Sequence, residues 1–210
     1  MHLLLIGSTG LVGSHVLRLA LDDSRIDHIT VLSRKPLPEH PKLQTVTVDF
    51  KHLPEDALWW NNIDAVISTL GSTIKKAGSQ EEFYKIDHDY SLTVAKLARQ
   101  HNTPTYVLNS ALGANPESKI FYSRVKGELE QDLAKLGFTS LTFVRPGFIG
   151  GKRTEFRLGE KIVVGILTIF SPALSRRLRV NPAEKIAKVL IENAVKPKSG
   201  VNIVTSKELS

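Results

Sequence analysis

Cysteine is absent from the 210-residue chain, methionine occurs once and tryptophan twice. Without cysteine there is no disulfide, no thiolate metal ligand and no cysteine nucleophile. A long hydrophobic run is also missing. The longest late stretch, Ile162 to Phe170, is about half of what a membrane span needs, so no transmembrane segment is expected. At the N-terminus, Met1 runs almost at once into Leu3-Leu4-Leu5-Ile6, with no basic region or cleavable signal ahead of it. The expected compartment is therefore the cytoplasm. The seven histidines show no metal-ligand spacing. His88 and His101 are expected at the surface, and no metal is expected. Internal repeats and low-complexity segments are lacking as well.

What is present is ordinary in amount: 41% hydrophobic and 23% charged residues, enough for a sizeable core. The length fits one domain spanning 1–210, with 150–180 as a small substrate-side segment. Net charge is +7. The cations fall in small clusters, Arg34-Lys35, Lys75-Lys76, Lys152-Arg153 and Arg176-Arg177-Arg179, and no basic helix is interleaved with aromatics. Nucleic acid is not an expected partner. A basic surface with a site for a phosphorylated ligand accounts better for the balance.

Strand and helix patterns alternate from the first residue, which argues for a parallel sheet covered on both faces. Strands are expected at Leu3–Ile6, His28–Ser33, Leu43–Val48, Ala65–Thr69, Thr105–Asn109, Leu141–Val144 and Val201–Val204. Helices are expected at Leu11–Leu21, Phe83–Arg99, Tyr122–Lys135 and from Pro182 to about Ala194, the last capped by Asn181. The proline-rich stretch Pro36–Pro41 reads as a loop, as does the polar stretch Ser72–Glu81. Trp59-Trp60 reads as packing beneath the sheet. From 150 to 180 the alternation is lost.

The first strand runs into Gly7-Ser8-Thr9-Gly10-Leu11-Val12-Gly13 and then a helix. In that setting the glycines have separate tasks. Gly7 makes the tight turn, Gly10 lets backbone approach a pyrophosphate, and Gly13 lets helix pack on strand. The helix N-terminus then offers N–H groups and a positive dipole end to phosphates. Ser33 stands twenty residues after Gly13, where NAD-binding chains place a carboxylate, and Arg34 and Lys35 follow it. A hydroxyl and two cations suit a 2′-phosphate, so NADP(H) is expected over NAD(H); the alternative is a solvated loop. Asp49-Phe50 after the third strand can reach adenine, or Asp49 can simply close a turn. Thr69-Leu70-Gly71 is expected to line the cofactor at the end of the fourth strand.

Tyr122 and Lys126 lie four apart on one helix face. A nearby ammonium favours the phenolate and makes tyrosine a more effective acid at neutral pH. The same lysine can hold the nicotinamide ribose. Tyr122 would then give a proton to a carbonyl oxygen as hydride arrives. Ser110, at the carboxyl end of the fifth strand, can hydrogen-bond that oxygen. Substrate selection is placed in Gly151–Arg179. There Ile162–Phe170 can line a pocket or pack as a helix, and Arg153, Arg157 and Arg176 can meet an anion or face solvent.

Together, Gly7, Gly10, Gly13, Ser33-Arg34, Ser110, Tyr122 with Lys126, and Arg145-Pro146-Gly147 resemble a short-chain dehydrogenase/reductase of the extended or atypical type. Within it they resemble the NAD(P)H-binding group related to the Tat-interacting protein oxidoreductases. The resemblance implies a Rossmann-type α/β fold, a doubly wound parallel sheet with a small C-terminal substrate region. It also implies NADP(H) binding, a Ser110–Tyr122–Lys126 catalytic set, and Pro146-Gly147 near the nicotinamide. Two features depart from the standard short members: Ser68-Thr69-Leu70-Gly71 replaces their Asn-Asn-Ala-Gly type segment, and their helix asparagine has no evident match, with Asp87 or His88 in its region. The reading is an NADP(H)-dependent reductase of a small or medium carbonyl compound, monomer or homodimer. The alternatives are a redox-sensing NADP(H)-binding regulator with a protein partner, and epimerase or dehydratase chemistry on a nucleotide sugar.

Overall fold

Residues 1–150 and 180–209 are described by the computed structural model. Seven strands form the central sheet: β1 (His2–Ile6), β2 (His28–Ser33), β3 (Leu43–Thr47), β4 (Ala65–Ser68), β5 (Thr105–Asn109), β6 (Ser140–Arg145) and, after two short strands β7 (Phe148–Gly150) and β8 (Val180–Pro182), β9 (Gly200–Thr205). Their spatial order is β3-β2-β1-β4-β5-β6-β9, every neighbour parallel, while β7 and β8 pair separately. The chain order reverses between β1 and β4, and it is at the carboxyl ends of such a reversal that α/β sheets open a crevice.

Burial on both faces explains why these strands read as unbroken apolar runs. Alternate side chains go to opposite sides. Leu3, Leu5, Ile29, Val31 and Ile67 pack on one side with Val16 and Ala20 of α1 (Leu11–Asp22). Ile186 and Leu190, from the helix Ala183–Val195, join the same cluster. Leu4, Ile6, Val66 and Leu108 pack on the other side with Val94, Ala98, Leu129 and Leu133, and Trp60 lies fully buried among them.

Several local features differ from the expectation. The stretch 72–81 is not one loop: it forms a one-turn helix α2 (Ile74–Ala77) and begins α3 (Gln80–Tyr84). Thr73 and Ser79 cap these turns by accepting the Lys76 and Glu82 N–H groups at 3.2 and 3.0 Å. Ser79 and Glu82 have the spacing of a capping box, a signal outweighed by the polarity of the surrounding residues. From α3 the helix continues through a π-turn at Lys85–Asp89 into α4 (Tyr90–Gln100). The turn carries His88 inward rather than to the surface. It is 4% exposed and lies between Asp89 at 2.9 Å and Asp132 at 3.3 Å. After α5 (Phe121–Ala134) and β8, the last helix, α6 (Ala183–Val195), starts one residue later than expected. Asn181 does not cap it. Its buried amide instead accepts the Gly147 N–H at 2.7 Å and the Ser206 hydroxyl at 2.8 Å.

No helix of the described residues is long and apolar enough to cross a membrane. Ile162–Phe170, Arg153, Arg157 and Arg176, and with them nearly all of the expected substrate-side segment, lie outside the described residues.

Candidate active site

The glycine turn connects β1 to α1 by close backbone contact. Gly7 has φ +82°, and a Cβ there would meet the Thr69 carbonyl carbon at 2.5 Å and the Leu70 nitrogen at 2.6 Å. A Cβ on Gly13 would collide with the Gly7 carbonyl oxygen and lie 2.6 Å from Thr69 Oγ1. Gly10 is looser, its nearest neighbour being the Gly7 oxygen at 3.3 Å. Thr69 secures the other side by donating both its N–H and its hydroxyl to the Ile6 carbonyl at 2.9 Å. The turn therefore closes on β4 through backbone, with Ser8 buried and Thr9 exposed at its tip. Helix α1 has no capping side chain and no acidic residue in its first turn. The N–H groups around Leu11, Val12 and Gly13, and the positive dipole end, are thus not engaged by a side chain of α1. A pyrophosphate fits such a cradle, and no acidic residue of the first turn of α1 competes for it.

Ser33 ends β2, one residue past the Ile6–Leu32 pair, so it lies at the same sheet edge as the glycine turn. Its buried hydroxyl accepts the Lys35 N–H at 3.3 Å, and Arg34 and Lys35 are exposed. Asp49, beyond β3, accepts the Lys51 N–H at 3.0 Å and faces His52 Nδ1 at 3.3 Å. The Lys51 N–H, then His52, hold its carboxyl below the usual range. That is a turn-closing arrangement. Phe50 is 7% exposed and stacks on Tyr90 at 5.7 Å, so its ring belongs to the core and only its backbone is left for a ligand.

Helix α5 forms the other wall. Tyr122 sits in its first turn, 40% exposed, with its ring 5.9 Å from that of Phe83. One turn deeper, Lys126 is buried and its Nζ lies 2.9 Å from Asp87 Oδ1. Burial works against the ammonium, but Asp87, Tyr122 and Glu130 outweigh it and raise the lysine's pKa. Asp87 also accepts the Ser72 N–H at 2.6 Å, and Gly71 passes directly over this pair. The β4 exit loop and the π-turn thus meet at Lys126. The π-turn places Asp87 where the resemblance leaves an asparagine without a match. Gly127 lets the 115–116 loop press on the helix here, for a Cβ would meet Asn115 Cα at 2.6 Å.

One turn deeper again lies Glu130, which the sequence reading missed. It accepts the Ser110 hydroxyl at 2.5 Å and Arg145 Nε at 3.0 Å, and its second oxygen pairs with the other side of the guanidinium. The Glu130 hydrogen bonds raise the Arg145 pKa against the opposing effect of burial. Ser110 is 4% exposed, its N–H donated to Val144 O at 2.8 Å, so the carboxyl ends of β5 and β6 are joined at this point. The spacing Tyr122, Lys126, Glu130 was the available signal: three residues four apart on one helix face. Pro146 and Gly147 follow Arg145 directly. Pro146 O accepts the Leu112 N–H at 2.8 Å, and Gly147 is held by Asn181. The structure thus gathers the glycine turn, Ser33, Thr69–Gly71, Ser110, Tyr122, Lys126 and Gly147 at one edge of the sheet, with Asp49 beyond β3 closing its own turn.

A seven-stranded parallel sheet, reversed at β1 and β4 and glycine-turned into α1, defines a Rossmann-type dinucleotide-binding fold. Residues 7–165 match the family model described as NAD(P)H-binding, and the chain belongs to that family. Among curated relatives, the protein FMP52, mitochondrial, of Candida albicans is 35% identical over 96% of this chain and 90% of its own length. Among solved structures, MoeE5 in complex with UDP-glucuronic acid and NAD superposes with TM-score 0.76 at 16% identity, over 97% of this chain and 75% of that one. The oxidoreductase ylbE from Lactococcus lactis does so with TM-score 0.71 at 20% identity, over 100% and 94%. At those identities the solved structures establish the fold. The expected cytoplasmic location is overturned: FMP52 relatives from Emericella, Candida and two Aspergillus species, at 33–37% identity, are named mitochondrial. The expectation had rested on β1 starting at once after Met1, and where a strand starts carries no information about compartment.

Proposed function

We propose that this protein is an NADP(H)-dependent oxidoreductase of the short-chain dehydrogenase/reductase type, which reduces a carbonyl compound in the mitochondrion. The observation that carries this reading is the α5 face: Tyr122 at the mouth and, one turn below, a buried Lys126 kept charged by Asp87. The cofactor supplies the hydride. Tyr122 gives its hydroxyl proton to the carbonyl oxygen, with the Lys126 ammonium one turn below it on the same helix face. Ser110 holds the same oxygen by turning its hydroxyl from Glu130, whose charge Arg145 continues to balance. Gly7, Ser8, Thr9, Gly10, Leu11, Val12 and Gly13 hold the pyrophosphate. Ser33, Arg34 and Lys35 receive a 2′-phosphate, while Asp49 and the Phe50 backbone border the adenine. Thr69, Leu70, Gly71, Lys126, Pro146 and Gly147 border the nicotinamide half.

Tyr122→Phe tests the reading. NADPH oxidation should fall about a hundredfold or more, while NADPH binding, followed by fluorescence titration, stays as in the wild type. Unchanged turnover in the mutant would remove Tyr122 from the role of acid.

A further inference from the structure

The described residues expose eight large apolar side chains, and five of them lie on segments that leave the carboxyl ends of β4, β5 and β6: Ile74, Leu112, Ile120, Tyr122 and Phe148. Backbone contacts tie four of these five together. The Leu112 N–H on Pro146 O, at 2.8 Å, joins the β5 exit to the turn that ends in Phe148. The same β5 exit lies along the first turn of α5, where the Asn115 N–H donates to Ser123 O at 3.0 Å and a Cβ on Gly113 would be 3.8 Å from Ser123 Oγ. Ile120 and Tyr122 sit in that turn, and Phe83 backs the tyrosine ring. The fifth, Ile74, belongs to the short helix that precedes Phe83.

Among the described residues, three cations of this rim have partners. Lys126 is paired with Asp87 and Arg145 with Glu130, while Arg124 lies 3.9 Å from Glu128 and donates to Ser118 O at 3.0 Å. Lys75 and Lys119, next to Ile74 and Ile120 in the sequence, are exposed. Exposed apolar residues on segments that meet beside one polar reactive group are the usual make-up of a small-molecule site.

Building on the reductase reading, we propose that the substrate is a carbonyl compound with an apolar body: an aliphatic or aromatic aldehyde or ketone, rather than a sugar nucleotide or another anion. Leu112, Ile120 and Phe148 hold the body while Tyr122 meets the oxygen. In the reaction the carbonyl carbon gains a hydride from the reduced nicotinamide and its π bond breaks. The oxygen takes the Tyr122 proton, the alcohol leaves with oxidised cofactor as co-product, and water reprotonates the phenolate.

The test is NADPH oxidation by the full chain with propanal, hexanal and decanal, benzaldehyde, glyceraldehyde and glyceraldehyde 3-phosphate. The expected result is a kcat/KM that rises along the straight-chain series, by about fourfold for each added methylene until the rim is covered, with benzaldehyde above both glyceraldehydes. Leu112→Asp and Phe148→Asp should each raise the KM for decanal about tenfold and flatten the series; both side chains are exposed, so the core is not strained. A flat series, or a preference for glyceraldehyde 3-phosphate, overturns the apolar assignment and leaves the reductase reading standing. No turnover of any aldehyde, with NADPH binding confirmed by titration, overturns the reductase reading and this inference with it.

Discussion

Between β1 and α1 the cleft wall is bare backbone, a turn so tight that Gly7 and Gly13 leave no room for a Cβ. Along α5 the wall is made of buried charge, with Lys126 on Asp87 and Glu130 holding both Ser110 and Arg145. The first wall can receive a negatively charged group because no capping side chain and no acidic residue of the first turn engages the start of α1. The second has its charges neutralised internally: the Tyr122 phenol is partly exposed, while the Ser110 hydroxyl is donated to Glu130. One wall is built to bind an anion and the other to hold a few polar atoms in fixed positions. The difference predicts how each fails: the glycine wall by steric collision, the α5 wall by leaving a charge without its partner.

The largest expected effect is at Gly13. Gly13→Ala forces a Cβ against the Gly7 oxygen and Thr69 Oγ1, neither of which is a flexible side-chain end. Overpacking of this kind is expected to cost about 3 kcal/mol in a urea titration and to abolish NADPH binding. Gly10→Ala sharpens the point. Its nearest neighbour is the Gly7 oxygen at 3.3 Å, so the loss of stability should be well below that of Gly13→Ala, while NADPH affinity drops at least tenfold, as expected where backbone approaches a pyrophosphate. Equal loss of stability in both variants would mean that Gly10 is a packing residue like Gly13.

Next comes the α5 wall. Glu130→Ala leaves the Arg145 guanidinium, 28% exposed, and the buried Ser110 hydroxyl without their shared acceptor. A loss of about 2–3 kcal/mol is expected, less than for a fully buried pair because Arg145 retains some access to water. NADPH affinity should hold, since the glycine wall is untouched. A matching fall in NADPH affinity would show that the two walls are coupled, contrary to their separate construction.

The same contrast decides what was legible in the sequence. The glycine wall depends on spacing within seven consecutive residues and on a strand before it, so the turn at Gly7 and the close packing at Gly13 could be read directly. The parallel sheet was legible too, since runs such as Leu3–Ile6 are apolar at every position only when both faces are covered. The α5 wall depends on partners far apart in the chain. Lys126 meets Asp87 and Glu130 meets Arg145 only once the sheet order is set, so Glu130 went unread although it shares a face with Tyr122 and Lys126. Asp87 reaches the site through a π-turn that 3.6-residue periodicity does not reveal. Asn181 was misread for the opposite reason: asparagine next to proline has the local signature of a helix start, and its contacts with Gly147 and Ser206 are distant in sequence.

The smallest effect lies where the glycine wall reaches solvent. Arg34 is exposed at the end of β2, and an exposed ion pair contributes little because water and salt screen it. Arg34→Ala should therefore weaken NADPH binding only about fivefold, ~1 kcal/mol, at low salt, with a smaller change at high salt. NADH, which lacks the 2′-phosphate, should bind the variant as it binds the wild type. Lys35→Ala should do less than Arg34→Ala, since an ammonium offers a point charge where the guanidinium offers two parallel N–H donors. A variant that loses NADPH and NADH affinity equally would show that Arg34 does not read the 2′-phosphate, and cofactor choice would then have to lie with the buried Ser33 hydroxyl.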